Sequence, residues 1–180
     1  FIVVLQHPIT TEYGEGFAQI NQTLAAAFKH AQQGMQIIWL WPNVDAGSDD
    51  VSKGIRSFRE KNNTINMRFY RNFSPEDYIC LLANAKCIVG NSSSGLRECA
   101  FLGTPCVNIG SRQEGREKSD NVIDVNHDSN KIYEAINYQI KHGKYEKSNI
   151  VGDGKSGKKI ANYLATCKTN IQKKIHYIKE

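Results

Sequence analysis

The sequence is poor in several features that mark whole classes of protein. It has four prolines, two methionines and two tryptophans among 180 residues, and it has no long hydrophobic stretch. No apolar run approaches the ~20 residues that a membrane-spanning helix needs. The opening segment Phe1–Leu5 is too short for a signal peptide and lacks its flanking residues. We therefore expect a globular domain with no membrane partner.

Cysteine usage argues against a disulfide framework. The cysteines are odd in number, form no CxxC pair and lie in apolar stretches of sequence: Cys80, Cys87, Cys99, Cys106 and Cys167. This pattern predicts reduced, mostly buried thiols in a cytoplasmic protein and does not indicate a zinc site. We expect neither a metal nor a cofactor.

The charge pattern is weak as well. The net charge of +5 is modest, and no dense basic run with interleaved aromatic residues is present. The most basic part contains Lys168, Lys173 and Lys174, which a solvated helix face explains. The sequence therefore predicts no nucleic-acid partner.

What the sequence does contain is a regular alternation of short apolar runs and longer amphipathic ones. Strands are predicted at Phe1–Gln6, Gln36–Trp41, Asn66–Arg71, Lys86–Gly90, Pro105–Ile109 and Val122–Val125. Helices are predicted at Gly16–Gln33, Asp49–Lys61, Pro75–Ala85, Gly95–Leu102 and Asn130–His142. Continuous apolar strands are typical of a parallel sheet covered on both faces. The pattern predicts an α/β fold with a doubly wound, Rossmann-like sheet, in one domain over residues 1–180.

Two helix boundaries carry local signals. Ser74–Asp77 combines a hydroxyl N-cap, proline at the first helical position and acidic residues in the first turn. The glycine-rich linker Gly152–Gly154 precedes a C-terminal segment, at about 155–180, that is predicted to be helical from about Gly157 to Lys174.

Polar loops follow the first five predicted strands. They contain His7, Asn43–Ser48, Asn72–Phe73, Asn91–Gly95 and Gly110–Glu117. If the sheet is parallel, these loops share one edge, and that edge is where such folds bind their ligands.

The Asn91–Glu98 turn is the strongest candidate for a binding site. Its three serines and the glycines Gly90 and Gly95 allow a sharp bend at the start of a helix, where N–H groups suit a phosphate. Glu98 follows about one helical turn later, within reach of a sugar hydroxyl. The alternative is a plain strand-to-helix connection with serine as the N-cap. Neither a GxGxxG fingerprint nor a Walker loop is present.

Three further side chains follow predicted strands. His7, whose turn is set by Pro8, could act as an acid or base, or as a cation beside a phosphate. Arg112 lies in a glycine-bracketed loop and could clamp a diphosphate, although a solvated surface loop is the common alternative. Asp45 could be a site carboxylate, but its neighbours favour an ordinary turn residue.

Taken together, four segments in this order resemble the hydrolysing UDP-N-acetylglucosamine 2-epimerases: Gln6–Glu12, Pro42–Ser48, Gly90–Glu98 and Asn108–Gln113. The Gly152–Gly154 linker also fits, so the resemblance runs from Phe1 to about Leu164. It implies a glycosyltransferase-B-like enzyme of two Rossmann-like halves. This chain would be the C-terminal half, and the N-terminal half would be absent from it.

The resemblance also implies roles for particular residues. His7 matches the catalytic histidine of the family, and the other matches are substrate-binding: Ser92, Ser93, Ser94 and Gly95 for the diphosphate, Glu98 for the ribose hydroxyls, Arg112 for the nucleotide and the Phe73 backbone for uracil. The acidic residues that abstract the proton at sugar C2 belong to the N-terminal half and have no counterpart here.

The implied reaction expels UDP from UDP-N-acetylglucosamine by elimination and then adds water to the 2-acetamidoglycal to give N-acetylmannosamine. The implied partners are UDP, the UDP-sugar and further copies of the chain in a dimer or tetramer. Three alternatives remain open: an epimerase for a UDP-2,4-diacetamido-trideoxy sugar, the donor domain of a glycosyltransferase, and a non-catalytic UDP-sugar-binding module.

Overall fold

A computed structural model describes residues 1–168 and residue 172. Its strands are β1 (Ile2–Leu5), β2 (Ile37–Leu40), β3 (Met67–Tyr70), β4 (Cys87–Gly90), β5 (Cys106–Ile109) and β6 (Val122–Val125). They form one six-stranded sheet in the order β3-β2-β1-β4-β5-β6, and every neighbouring pair is parallel. This order is the Rossmann order, so the predicted fold class is confirmed.

The helices are α1 (Gly16–Gln32), α2 (Ser48–Lys61), α3 (Pro75–Asn84), α4 (Glu98–Leu102), α5 (Ser129–His142) and α6 (Ser156–Thr166). Four of them, α1, α2, α3 and α5, match their predicted bounds to within one residue at each end. The predicted cap of α3 is present, because the Ser74 hydroxyl accepts a hydrogen bond from the Asp77 amide. Short 3₁₀ turns at Thr10–Glu12 and Ser93–Gly95 were not predicted.

The predicted helix over Gly95–Leu102 is wrong at its start. The Ser93 carbonyl accepts from the amides of both Leu96 and Arg97, which closes a tight 3₁₀ turn. At Arg97 the backbone then departs from ideal helical angles, at φ −104° and ψ −75°, and α4 begins only at Glu98. A helix of five residues has a small dipole. Anion binding at this turn therefore depends on individual N–H groups and side chains.

The predicted C-terminal helix is shorter than expected within the described residues. It begins at Ser156 and ends at Thr166, and Cys167 has an extended backbone. The rest of the predicted helix, from residue 169 onward, lies outside the described residues except for residue 172. Among the described residues, none of the helices has both the length and the hydrophobicity that crossing a membrane requires.

Alternate residues of β1 point into two separate cores. Ile2 and Val4 of β1 pack with α1, α2 and α5 on one face, whereas Val3 and Leu5 pack with α3 and α4 on the other. This two-residue alternation is the side-chain period of a strand. Because both faces of β1 are covered by helices, its sequence is continuously apolar.

The thiols are free, and three of the five are buried: Cys87, Cys99 and Cys106. Burial raises the pKa of Cys99 to about 12, so this thiol stays protonated at neutral pH. Cys80 is exposed, which the apolar sequence around it did not predict.

Replacement of Gly90 by alanine should destabilise the fold strongly. Gly90 has a φ of +132°, and a Cβ atom would lie 2.0 Å from the Leu5 carbonyl oxygen of the neighbouring strand. Because neither backbone can move without breaking the sheet, we expect a loss of about 3 kcal/mol or more in the free energy of unfolding. Urea unfolding of the two proteins measures it.

Gly115→Ala is the matched control. Gly115 also has a positive φ, +72°, but a Cβ there would have nothing within 4 Å. It should cost only about 1 kcal/mol for the left-handed backbone. Equal losses from the two variants would contradict the role assigned to the close approach at Gly90.

Candidate functional site

The candidate site lies where the chain order of the sheet reverses. β1 has β2 on one side and β4 on the other, so the loops that follow β1 and β4 leave the same edge in opposite directions. Such a switch point opens a crevice at the carboxyl ends of the strands, which is the usual ligand site of this architecture. His7 follows β1 and the Asn91–Gly95 turn follows β4.

Asn91 joins these two loops. Its Oδ1 accepts from the His7 amide at 2.7 Å, and its Nδ2 donates to the His7 carbonyl at 2.9 Å. Its backbone carbonyl accepts from Arg112 Nη1 at 3.1 Å and from Gln113 Nε2 at 2.8 Å. The residue is fully buried. Asn91 therefore holds His7, the serine turn and the loop after β5 in one arrangement.

The sequence did not identify Asn91 or Gln113 as a site residue in its own right. A signal was present at Asn91, because a polar side chain directly after an apolar strand, at the switch point, must find buried partners. No comparable signal marked Gln113, whose partner lies 22 positions away in the chain.

The His7 ring is buried and oriented. Its side-chain Nδ1 accepts a hydrogen bond from the Asn43 amide at 3.2 Å, and the residue is 5% exposed. In the neutral ring the proton therefore resides on Nε2. Burial, and then the nearby Arg112 charge, lower the pKa of His7 to about 4, while Asp45 opposes the shift. The ring is therefore neutral at neutral pH in the ligand-free protein, and a cationic His7 beside a phosphate stays a prediction.

Arg112 lies within the same group of loops. One end of its guanidinium is bonded to the Asn91 carbonyl, and the other, Nη2, lies 3.9 Å from Asp45 Oδ2. The side chains of Arg112 and Asp45 are 30% and 40% exposed. Asp45 is a turn residue, since its carbonyl accepts from the Ser48 amide, but its carboxylate also faces the site. The turn interpretation of Asp45 was therefore incomplete.

The serine turn is stabilised largely by its own hydrogen bonds. The Ser92 hydroxyl accepts from the Ser94 amide at 3.3 Å, and the Gly95 amide donates to the Ser92 carbonyl at 3.2 Å. The hydroxyls of Ser92 and Ser94 are 3.3 Å apart. The amides of Ser94 and Gly95 therefore already donate within the turn. Fewer free N–H groups remain to bind a phosphate than the sequence predicted. Among the described residues, the Ser92 and Ser93 amides have no recorded partner.

Gly95 has a packing role in this turn. It is buried, and a Cβ atom there would lie 2.4 Å from Cys106 Sγ on β5. The absence of a side chain at Gly95 lets the turn lie directly against the sheet. Direct contact between Gly95 and a ligand is therefore not required to explain the glycine.

Two buried polar atoms lie beside the turn without hydrogen-bond partners among the described residues. One is Glu98 Oε2 and the other is the Tyr78 hydroxyl of α3. Burial raises the pKa of Tyr78, while the neighbouring hydroxyls of Ser94 and Ser92 oppose the rise, although neither makes a hydrogen bond of normal geometry with it. Buried polar atoms are normally paired, so a ligand hydroxyl or water at this place would satisfy them.

The sequence did not identify Tyr78 as a site residue. Its spacing to Leu81 and Leu82 in α3 is that of an apolar helix face.

Phe73 lies on the same side of the sheet as Tyr78, packed against the core cluster that contains Val3 and Leu5. The Phe73 ring packs on Tyr70 with centroids 4.9 Å apart. The structure therefore places Phe73 outside the hydrogen-bonded group around Asn91.

Within residues 1–168 and 172, no group of three or more His, Cys, Asp or Glu side chains could hold a metal ion. What the site offers is a neutral imidazole with its proton on Nε2, a partly exposed guanidinium, serine hydroxyls and an unpaired carboxylate oxygen. These groups are suited to binding an anion at one end and hydroxyl groups at the other.

A Rossmann-order sheet with polar loops at its switch point defines a doubly wound α/β domain with a crevice at the carboxyl ends of its strands. Residues 1–165 match the family described as UDP-N-acetylglucosamine 2-epimerase. The chain belongs to this family.

The curated relatives are longer than this chain. A UDP-N,N'-diacetylbacillosamine 2-epimerase (hydrolyzing) of Legionella pneumophila is 32% identical over 164 residues, which are 91% of this chain and 42% of that protein. A UDP-N-acetylglucosamine 2-epimerase of Neisseria meningitidis is 30% identical over 152 residues, 82% of this chain and 37% of that protein. The chain thus spans about two fifths of the length of these relatives.

Solved structures share the fold. The UDP-GlcNAc 2-epimerase of Methanocaldococcus jannaschii, in complex with UDP-GlcNAc and UDP, matches with a TM-score of 0.72 at 19% identity. The match covers 92% of this chain and 45% of that one. The similarity confirms the predicted α/β fold of this chain, which matches just under half of that structure.

Proposed function

We propose that the protein containing this chain is a hydrolysing UDP-N-acetylglucosamine 2-epimerase, and that this chain binds the UDP moiety. The observation that carries the proposal is that one buried residue, Asn91, holds the backbone of His7, the guanidinium of Arg112 and the serine turn together. These are the groups that the departure of a nucleoside diphosphate requires.

The step that most needs stabilisation by the protein is the departure of the diphosphate. When the bond between sugar C1 and the β-phosphate oxygen breaks, its electron pair stays on that oxygen, so negative charge grows on the diphosphate. Arg112 and the serine hydroxyls stabilise this charge as it develops. Preorganised donors of this kind act most strongly in a site from which water is excluded.

His7 contributes a neutral hydrogen-bond donor. Because Nδ1 is occupied by the Asn43 amide, the free position of the ring is Nε2–H. Nε2–H donates a hydrogen bond to the departing β-phosphate oxygen, while Nδ1 stays the acceptor for the Asn43 amide and the ring stays neutral. In this proposal the carboxylates that take the proton from sugar C2 lie in the rest of the enzyme.

Glu98 binds the ribose. Its Oε2 is buried and unpaired among the described residues, so it is available to accept a hydrogen bond from a ribose hydroxyl beside the diphosphate turn. The uracil then lies towards Phe73, whose backbone follows β3 at the same edge of the sheet. Assembly into a dimer or tetramer and a cytoplasmic location stay predictions.

A second candidate substrate is UDP-N,N'-diacetylbacillosamine. The observation in its favour is the 32% identity, over 91% of this chain, to the Legionella enzyme of that name. Both substrates carry UDP, so this half does not separate them. The test is to incubate the full-length protein with each UDP-sugar, measure released UDP, and identify the sugar product by NMR. N-acetylmannosamine from UDP-N-acetylglucosamine supports the first candidate, and release of no sugar from either overturns both.

Glu98→Gln should weaken UDP binding while changing kcat little. Glutamine keeps an acceptor oxygen but loses the charge, which supplies roughly half of a hydrogen bond of about 1.5–3 kcal/mol, so the dissociation constant should rise about 3- to 12-fold. Isothermal titration calorimetry with UDP measures this effect. Glu134→Gln, at an exposed position on α5, is the charge-matched control. Unaltered UDP affinity together with a collapse of kcat would argue against a ribose-binding role.

A further inference from the structure

We propose that the Asp45 carboxylate competes with a bound diphosphate for the Arg112 guanidinium. Asp45 pairs with Arg112 in the ligand-free protein, and the diphosphate replaces it when it binds. This inference rests on the proposed function and deepens it, since it concerns the affinity and release of the nucleotide at the same site.

The geometry of Arg112 leaves one end of the guanidinium to share. Its Nη1 donates to the buried Asn91 carbonyl at 3.1 Å, which fixes the position of the side chain. Its Nη2 lies 3.9 Å from Asp45 Oδ2. A guanidinium binds phosphate best through two parallel N–H donors. A ligand that engages Nη2 must therefore replace Asp45 as its partner.

The charges make this replacement a direct competition. A diphosphate that reaches Arg112 brings at least two negative charges next to the Asp45 carboxylate, and like charges at such a distance repel. The pair is also easily separated, because the Asp45 side chain is 40% exposed and an exposed carboxylate can return to water. Asp45 therefore lowers the affinity for the nucleotide without preventing binding.

The loop of Asp45 also contacts His7. The Asn43 amide, two residues before Asp45, donates to His7 Nδ1, and Gly47, two residues after it, packs on Pro8. Asp45 and Arg112 are the charged groups that act on the His7 ring. The return of Asp45 to Arg112 as the diphosphate departs restores the ligand-free arrangement, so the carboxylate favours release of the UDP product.

The test is Asp45→Asn in the full-length protein. The amide keeps the shape and removes the charge, so the dissociation constants for UDP and for inorganic pyrophosphate should fall about two- to fivefold. The rate of UDP dissociation, measured by stopped flow, should fall by a similar factor. Asp45→Ser should act in the same direction. Asp49→Asn removes a charge from an exposed position at the start of α2 and should leave both constants unchanged.

A second readout needs no ligand. In the ligand-free protein, Asp45→Asn should lower the pKa of His7 further, because the carboxylate that opposes the shift is gone; NMR titration of the ring measures it. UDP affinity equal to or below that of the wild type in both Asp45 variants would overturn the proposal and leave the proposed function intact. A wild-type protein that binds neither UDP nor pyrophosphate would overturn both.

Discussion

Replacement of His7 by asparagine should lower kcat by about 10²- to 10³-fold, the range typical for loss of one preorganised donor to a developing oxyanion, with little change in UDP affinity. The asparagine Oδ1 can take the place of Nδ1 as the acceptor for the Asn43 amide, so the loop after β2 should keep its position. What is lost is Nε2–H, the part of the ring that meets the leaving oxygen in the proposed reaction. Steady-state kinetics and UDP titration measure the two effects separately.

His7→Gln provides the complementary variant, because its side-chain amide reaches towards the position of Nε2 and can still donate a hydrogen bond. If His7 acts only as a neutral donor, this variant should retain much more activity than His7→Asn. If His7 must accept a proton, the two variants should be equally impaired. An NMR midpoint for the wild-type ring near its ordinary value of about 6.5 would contradict the burial argument, which places its pKa at about 4.

Replacement of Arg112 by alanine should lower kcat/KM by about 10²- to 10³-fold, because it removes the guanidinium that is bonded to the Asn91 carbonyl at the start of the serine turn. The fold should survive, since Gln113 Nε2 still donates to the Asn91 carbonyl at 2.8 Å. Circular dichroism and thermal unfolding check that condition, and kinetics with UDP-N-acetylglucosamine measure the loss. UDP affinity should fall in the same variant.

Two further variants make the Arg112 result specific. Arg116→Ala removes an exposed arginine from the same loop and should have little effect. Arg112→Lys keeps the charge but cannot form two parallel N–H bonds, so it should recover only part of the activity. Equal losses from Arg112→Ala and Arg116→Ala would mean that the net charge of the loop, and not the placed guanidinium, is what matters.

Much of the fold could be predicted from the sequence because the patterns that determine each strand and helix lie within that segment. The apolar strands and the amphipathic helices each carry their own periodicity, and the start of α3 carries its own cap. The helix predicted at Gly95 failed for one local reason, the hydrogen bonds within the serine turn, and for one distant reason. Gly95 packs against Cys106 on the neighbouring strand, and the tight turn at Ser93 ends before α4 begins.

The candidate site was predicted in outline for a similar reason. In a parallel sheet every strand ends at the same edge, so His7, the serine turn and Arg112 could be placed at one edge from chain order alone. The partners of these groups could not be placed. Asn91 joins His7 and Arg112 through bonds that cross 84 and 21 positions of the chain.

The sequence by itself determined the α/β architecture, the edge of the sheet where the candidate site lies, and the types of side chain available there, because each depends on residue pattern and strand polarity. Only the tertiary structure decided the state of those side chains. Burial makes His7 neutral, the Asn43 amide selects its protonated nitrogen, and Asp45 meets Arg112 across two loops. Protonation, tautomer and ion pairing depend on distances between distant segments, and those distances exist only once the sheet has formed.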